Sequence, residues 1–230
     1  MKIDGRLRAL GLGICSSLLL GCDGGWTVSF AGPFPAQAAN ISEFSARHRG
    51  VYTADDSTSS LCIGRTAVWV QELGTERHSR HEFDSLGYKM RADSTFLAGG
   101  RLHYLHRLGR DSVRDSWLRT DTVFRISSFG ASQLRRFQGR YYLSTYEGTE
   151  RHHIDMWDVV RLEVKGRHLL WQRLGNDTLR LRALAPATVR RTRYDDFTYF
   201  QIEPGTPAET RRVGRYAGLW ETMGEYERRH

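Results

Sequence analysis

The chain has 230 residues, of which 34 are Lys or Arg and 26 are Asp or Glu, giving a net charge of +8 at pH 7. This length allows one domain or two small ones and is enough to bury a hydrophobic core. A basic balance favours anionic partners such as phospholipid headgroups or lipopolysaccharide. The positive charge is nearly all Arg, however, and is spread from Arg47 to Arg229 rather than clustered, so we expect no nucleic-acid partner.

The first 21 residues have the three zones of a secretory signal. A positively charged start is followed by an apolar run from Ala9 to Leu20, and then by the small residue Gly21. The apolar run is about a dozen residues, whereas a spanning helix needs about 20. The pattern therefore predicts a signal peptide over residues 1–21 rather than a transmembrane helix.

The sequence Leu19-Leu20-Gly21-Cys22 resembles the lipobox of bacterial lipoproteins. The resemblance implies cleavage between Gly21 and Cys22, a diacylglycerol on the Cys22 sulfur and an acylated amino terminus that carries a fatty acid such as palmitate. Two or three acyl chains anchor a protein stably, because each buried CH₂ contributes ~0.8 kcal/mol. We therefore expect a cell-envelope protein whose partner is membrane lipid. An ordinary signal peptide with a chance cysteine is the alternative.

Cysteine usage after cleavage excludes an intramolecular disulfide. Cys15 would leave with the signal, Cys22 would carry lipid, and only Cys62 would remain. Residues 1–21 hold three basic residues and one acidic residue, so their removal lowers the net charge from +8 to +6. The apolar neighbours of Cys62 indicate a small buried hydrophobe rather than a nucleophile.

Residues 22–49 are interpreted as the lipid anchor, a tether and a linker. Within them Trp26–Phe30 is a candidate short strand, and two prolines then interrupt regular structure. A short helix is expected next, with Asn40 or Ser42 as its cap and Gly50 at its end.

The stretch from Phe30 to Tyr52, with its two prolines and a closing Gly-x-Tyr, resembles small lipoproteins of Bacteroidota, in which Gly-x-Tyr opens a β-rich domain. The resemblance covers about a fifth of the mature chain and implies no activity. In such lipoproteins surface display accompanies an acidic run after the cysteine. Here Asp23 is followed by Gly24, so we expect the protein to face the periplasm.

Residues 50–202 have the alternation of β-strands. In Val160–Lys165 apolar and charged residues alternate, Gly166 can form a tight turn, and Arg167–Leu174 returns as the second strand of a hairpin. This register predicts that Val160 faces the core and Arg161 faces water, so that Val160→Asp destabilises the domain and Arg161→Ser is nearly neutral. Further strands are predicted at Leu102–Leu105, Val123–Ile126, Leu179–Ala183 and Tyr199–Ile202.

Short strands at spacings of roughly 8–12 residues favour a mainly β fold, an antiparallel barrel or sandwich with short flanking helices. Residues 203–230 are expected to be a C-terminal tail or a short helix that packs on this domain. The apolar residues of that helix would be Tyr216, Leu219, Trp220 and Met223, which follow helical spacing.

The histidines invite a metal interpretation that their spacing does not support. His78 and His81, and likewise His103 and His106, are three residues apart, and such positions face opposite sides of a strand. The motifs also lack the internal Glu of a zinc protease, and no Gly-x-Ser-x-Gly occurs. We expect no metal, no cofactor and no catalytic motif here or at the adjacent pair His152-His153.

Four aromatic residues of the β region are the candidate ligand-binding side chains: Tyr141, Tyr146, Trp157 and Trp171. An aromatic groove would bind a small apolar ligand, whereas packing into the core is the competing interpretation. We therefore expect a non-catalytic binding or assembly module of the envelope, whose partner is a small apolar ligand or an envelope protein. An envelope hydrolase with scattered catalytic residues is the alternative.

Overall fold

The computed structural model describes residues 25–56, 58–148 and 154–229. The fold is mainly β, with 52% strand and 14% helix, which confirms the predicted class. No helix within these ranges is long and apolar enough to cross a bilayer. The strands are β1 (Trp26–Phe30), β2 (Gly50–Thr53), β3 (Ser59–Ile63), β4 (Ala67–Ser79), β5 (Thr95–Ala98), β6 (Arg101–Arg107), β7 (Ser112–Arg125), β8 (Ser132–Phe137), β9 (Arg140–Tyr146), β10 (Trp157–Lys165), β11 (His168–Leu174), β12 (Val189–Tyr194), β13 (Phe197–Ile202) and β14 (Trp220–Arg228). The α-helices are α1 (Arg80–Ser85), α2 (Thr178–Leu181) and α3 (Pro207–Arg215).

The strands form one sheet in the order β12-β13-β1-β10-β11-β14-β2-β3-β4-β7-β6-β5, and β9 pairs with both β10 and β8. Each pair is antiparallel except β1 with β13. The sheet does not close, so the fold is sandwich-like rather than a barrel. The predicted strands at Trp26–Phe30, Leu102–Leu105, Val123–Ile126 and Tyr199–Ile202 lie in or overlap β1, β6, β7 and β13.

The predicted hairpin is confirmed as β10 and β11. Lys165 pairs with His168 and Val164 with Leu169, so Gly166 and Arg167 form the turn. Gly166 has φ 59°, a conformation that a residue with a side chain rarely adopts.

The first core lies within the curve of the sheet. Strands β8 to β11 supply one side and strands β2 to β4 the other, and Tyr52, Leu61, Tyr141 and Leu162 are fully buried between them. The edge of this core is covered by the segment around Phe44, where the amide of Phe44 donates to the carbonyl of Arg65 at 2.9 Å. Cys62 is buried, and burial raises the pKa of its thiol, as expected for a small hydrophobe.

The second core lies on the opposite face of β9 and β10 and is covered by α3 and β1. It contains Phe30, Phe34, Tyr142, Val159 and Trp220. Strand β10 is therefore covered on both of its faces, which a pattern of alternating charge does not predict.

The prediction that Arg161 faces water is wrong. Its side chain lies in the second core and is 5% exposed. The guanidinium donates to the Gln172 side-chain oxygen at 2.9 and 2.6 Å and to the Gly214 carbonyl at 2.8 Å, and lies 4.5 Å from the Trp220 ring centre. Three hydrogen bonds and an aromatic face thus replace the water that a charged side chain otherwise needs.

Two further local predictions are wrong. Residues predicted as the strand Leu179–Ala183 include α2 instead, because the Asp177 carboxylate accepts the Leu179 amide at 2.9 Å and caps a helix. The helix expected from Asn40 to Gly50 is only a 3₁₀ turn at Ala46–His48.

The C-terminal helix lies earlier than the apolar spacing predicts. Thr206 and Glu209 form a capping box with Pro207 at the first position, so α3 begins there. The residues from Trp220 to Arg228 form β14, which pairs with β11 and β2 within the sheet. Residues 203–229 are therefore an integral part of the fold. The same holds for residues 26–49, because Phe30, Phe34 and Phe44 are at most 1% exposed.

Candidate ligand-binding cleft

Strands β4 and β7 extend past the first core and carry a smaller layer that we call the distal arm. It consists of Leu73–Ser79 of β4, Ser112–Leu118 of β7, β6, β5 and α1. A capping box begins α1: the Glu82 amide donates to the Ser79 hydroxyl at 3.1 Å, and the Ser79 amide donates to the Glu82 carboxylate at 3.0 Å. This helix places Phe83 against Phe96 and so forms a small core of the arm's own.

One face of the arm carries a cleft of about 470 Å³. Its lining combines aromatic side chains with titratable ones, which is the usual composition of a small-molecule site. Its lining residues include Trp117, His103, Asp115, His78, Glu76 and Arg101.

A ladder of stacked rings crosses the arm at this cleft. His103 lies between Trp117 and Phe96, at 5.0 and 4.9 Å between ring centres, and Tyr88 stacks on Phe96 at 4.8 Å. Trp117, His103 and Phe96 are neighbours across β7, β6 and β5, so the sheet register itself aligns the ladder. The ladder holds the His103 ring in a fixed orientation.

Gly74 is the cross-strand partner of Trp117 and leaves room for its ring. A Cβ on Gly74 would lie only 2.6 Å from the indole Nε1. The tryptophan can therefore lie across β4 only because this strand position has no side chain.

The polar centre of the cleft is the His103–Asp115 pair. Nδ1 of His103 lies 2.8 Å from Oδ2 of Asp115, and their side chains are only 12% and 8% exposed. A carboxylate oxygen only accepts, so Nδ1 donates this bond and Nε2 is left for another partner. This is the arrangement in which a carboxylate orients an imidazole for binding or proton transfer.

The second carboxylate oxygen, Oδ1 of Asp115, is buried and has no hydrogen-bond donor among the described residues. A buried carboxylate oxygen without a donor is costly, about 1–3 kcal/mol or more. Asp115 lines the cleft, so its carboxylate is an acceptor there whose second oxygen has no donor among the described residues.

The rim of the cleft carries further charge. Nε2 of His78 lies 3.7 Å from a Glu76 oxygen, and the His78 ring packs 6.1 Å from that of Phe83. Arg101 is exposed at the opposite side of the lining. The rim thus offers both acceptors and donors.

The His103–Asp115 pair is accompanied by neither a bonded nucleophile nor a metal-binding cluster in the described part of the chain. Among the described residues no hydroxyl or thiol hydrogen-bonds to Nε2 of His103, so the pair lacks an assembled nucleophile. Within residues 25–56, 58–148 and 154–229, no group of three His, Cys, Asp or Glu side chains is placed to hold a metal ion.

One histidine of each His-x-x-His pair lines the cleft. His103 lines the cleft, whereas His106, three residues on, lies on the other face of β6. His78 also lines the cleft, while His81 belongs to α1. One histidine from each motif therefore reaches the same cleft, an arrangement between motifs that the spacing within each motif does not reveal.

The four aromatic residues expected to form a groove do not converge. Tyr141 is fully buried in the first core, where its hydroxyl meets the His48 Nδ1 at 2.9 Å. Trp171 packs against the same core. Tyr146 and Trp157 lie on the opposite face of the sheet, 5.4 Å apart between ring centres, with the Tyr146 hydroxyl bonded to Asp155. Core packing accounts for Tyr141.

The predicted cleavage and lipidation residues Gly21 and Cys22 lie outside the described residues, as does the histidine pair His152-His153. A second cavity of about 420 Å³ is lined by Glu163, His168 and Glu225. Its most buried carboxylate, Glu163, is already paired with Arg140 at 2.8 Å and Lys165 at 2.6 Å, and these bonds lower its pKa against the opposing effect of burial. It therefore offers less to a ligand than Asp115 does.

No protein-family model matches the chain, and neither a curated protein nor a solved structure matches it. Function is therefore inferred from the residues themselves.

Sequence reasoning missed Asp115, Trp117 and Gly74. Asp115 and Trp117 lie on β7, where apolar and polar residues alternate irregularly. That they share a face with His103 therefore follows only from the pairing of β7 with β6. The one available signal was Gly74, since a glycine inside a strand often marks a close approach of another group.

Proposed function

We propose that this protein is a lipid-anchored, periplasm-facing protein of the cell envelope that binds a small hydroxyl-bearing molecule, such as a sugar, in the cleft of the distal arm. The anchor is supported by the lipobox resemblance at Leu19-Leu20-Gly21-Cys22. Ligand binding is supported above all by the buried, donor-free Oδ1 of Asp115 at a cleft of about 470 Å³.

A hydroxyl-bearing ring fits this lining better than a wholly apolar molecule. An apolar ligand would leave Asp115 Oδ1 without a donor, and the cost of that buried oxygen would count against binding. A sugar offers hydroxyl donors to Asp115 and an acceptor or donor to Nε2 of His103. Its C–H face can also pack against Trp117, which is partly exposed in the cleft.

An envelope hydrolase is the second candidate, and the His103–Asp115 pair is the observation that favours it. An oriented imidazole can activate a water molecule without a protein nucleophile. Turnover of p-nitrophenyl acetate and of p-nitrophenyl glycosides distinguishes the two, because only the hydrolase predicts activity that is lost in His103→Gln.

The binding proposal is tested by saturation-transfer NMR with glucose, galactose and N-acetylglucosamine, with glycerol as a polyol that has no ring. We expect transfer to the ring protons of at least one sugar and little to glycerol. Asp115→Asn should weaken that binding by about tenfold or more, because a hydrogen bond to a charged acceptor contributes about 1.5–3 kcal/mol.

The matched control is Asp121→Asn, which removes the same charge from the exposed end of β7, where Asp121 pairs with Arg119 at 2.6 Å. Equal affinity in Asp115→Asn and Asp121→Asn would contradict the role of Asp115. Absence of transfer to every sugar would contradict the proposed ligand class.

A further inference from the structure

The face of the distal arm opposite the cleft carries an exposed row of leucines. Leu73 pairs with Leu118, Leu102 pairs with Leu97, and the registers of β4–β7 and β6–β7 place the two pairs side by side. These leucines are 38–57% exposed, and Tyr104 beside them is 47% exposed. We call Leu73, Leu118, Leu102, Leu97 and Tyr104 the leucine face.

A basic row follows the leucine face along the same strands. Arg77 pairs with Arg114, and Arg114 pairs with His106 on β6. All three are exposed. Neither arginine forms an ion pair with a carboxylate in the described part of the chain, and Arg77 makes only a 3.4 Å contact with the Ser112 hydroxyl.

Charge is distributed unequally between the two faces of the arm. The carboxylates of its strands, Glu76 and Asp115, both belong to the cleft. On the face of the arm opposite the cleft, the strand positions are leucine, threonine, serine, tyrosine, arginine and histidine. This face therefore combines apolar surface with positive charge and carries no negative charge in its strands.

Charge argues against a second copy of the chain as the occupant. A symmetric pairing through this face would bring two basic rows together, and the strands of this face supply no carboxylate to either copy. Four strands spaced about 4.8 Å apart and four residues along them give the patch a footprint on the sheet of ~200 Å². An anionic membrane surface supplies the missing negative charge, and each apolar side chain and each arginine contributes separately to binding.

We propose that the leucine face docks on a membrane surface rich in anionic phospholipid. The leucines and Tyr104 would enter the headgroup region, and Arg77 and Arg114 would lie at the phosphates. Since the cleft is on the other face of the arm, docking leaves it open to the aqueous side. This inference goes beyond the proposed function and depends neither on lipidation nor on the ligand.

The test places an environment-sensitive fluorophore on the leucine face. The full chain carries Cys15→Ala and Cys22→Ala, and Leu118→Cys then supplies an exposed thiol while Cys62 stays buried. Vesicles of phosphatidylcholine, with or without phosphatidylglycerol, are added and the emission is followed. We expect a blue shift with phosphatidylglycerol vesicles and almost none with phosphatidylcholine alone.

Two matched double variants test the charge argument. Arg77→Gln with Arg114→Gln should raise the lipid concentration at half-maximal shift about 25-fold, since each arginine near an anionic surface contributes about fivefold. Arg182→Gln with Arg211→Gln removes the same charge from exposed positions on the main body and should change little. A label at Leu179→Cys, at a position in α2 where the leucine is 64% exposed, should not shift.

Several outcomes would overturn the proposal. These are no shift at Leu118→Cys, an equal shift with both vesicle types, an equal shift at Leu179→Cys, or equal effects of the two double variants. A blue shift that needs no vesicles and grows with protein concentration would also overturn it, because the face would then bind a second copy of the chain. Residues 1–24 are the same in each double variant, so their contribution cancels from that comparison.

Discussion

Arg161→Ser is the substitution for which the charge pattern and the packing give opposite predictions. The alternation of apolar and charged residues along β10 predicts that stability is unchanged. The burial of Arg161 in the second core predicts instead a severe loss of stability. Serine cannot reach the Gln172 oxygen or the Gly214 carbonyl, which accept the three guanidinium bonds. Both acceptors would lose their donors, and the Trp220 ring would lose the cation above it.

The size of the expected destabilisation follows from the lost hydrogen bonds and the lost cation–π contact. Each acceptor left without a donor costs about 1–3 kcal/mol, and a desolvated cation–π contact contributes about 2 kcal/mol. Water that enters the space, and the relief of burying a charge, offset part of this sum. We expect the free energy of unfolding to fall by about 3–5 kcal/mol. For a chain of this size that corresponds to a fall in Tm of roughly 6–20 °C.

The assay is urea and thermal unfolding followed by circular dichroism, with Arg173→Ser as the control. Arg173 is on the neighbouring strand β11, its side chain is 56% exposed, and its pair with Glu221 is 3.4 Å long, so its loss should cost no more than about 0.5 kcal/mol. Arg161→Met fills the space but donates no bond, and should recover only part of the loss. Equal effects of Arg161→Ser and Arg173→Ser would refute the packing account of β10.

Three further predictions follow from the structure and the sequence. Burial, and then nearby arginines, lower the pKa of His48 below its ordinary value near 6.5. Its contribution to stability is therefore complete above about pH 6.5 and is lost as the pH falls below it, and His48→Gln should flatten this dependence in urea melts. Gly166→Val should destabilise the β10–β11 hairpin by about 1 kcal/mol or more, because φ is 59° there, while Gly32→Val, with open space around it, serves as the control. Cys22→Ala should release the protein from membranes and abolish labelling by radioactive palmitate. Labelling that persists would contradict lipidation, and digestion by protease added to intact cells would contradict a periplasmic orientation.

Sequence patterns predicted those parts of the fold that local residues determine. The β10–β11 hairpin follows from strict alternation and one glycine, and both are visible in seven or eight consecutive residues. The C-terminal region shows the limit of this reasoning. Tyr216, Leu219 and Trp220 have helical spacing, yet Trp220 begins a strand, because the unpaired edges of β11 and β2 are filled only by β14. That requirement is a property of the whole sheet and leaves no local signature.

The prediction that Arg161 faces water was wrong for a related reason. A charged residue in an alternating strand indicates a face in water only when nothing covers that face. Here Gly214 of α3 and Trp220 cover it, and both come more than 50 residues later in the chain. The candidate cleft depends in the same way on distant pairing, since His103 and Asp115 meet through the register of β6 with β7. Composition could indicate histidines and aromatic residues but could not indicate which of them share a face.

The central claim is that Asp115 and His103 hold a ligand in the distal arm, and native mass spectrometry of the protein purified gently from its own membranes tests it most directly. The account predicts a bound species of small mass, rich in hydroxyl groups, on the wild-type protein. The same species should be retained in Asp121→Asn and lost in Asp115→Asn while the protein stays folded. A species that remains on Asp115→Asn, or a wild-type protein that carries no such molecule and takes up none of the tested sugars, would contradict the account.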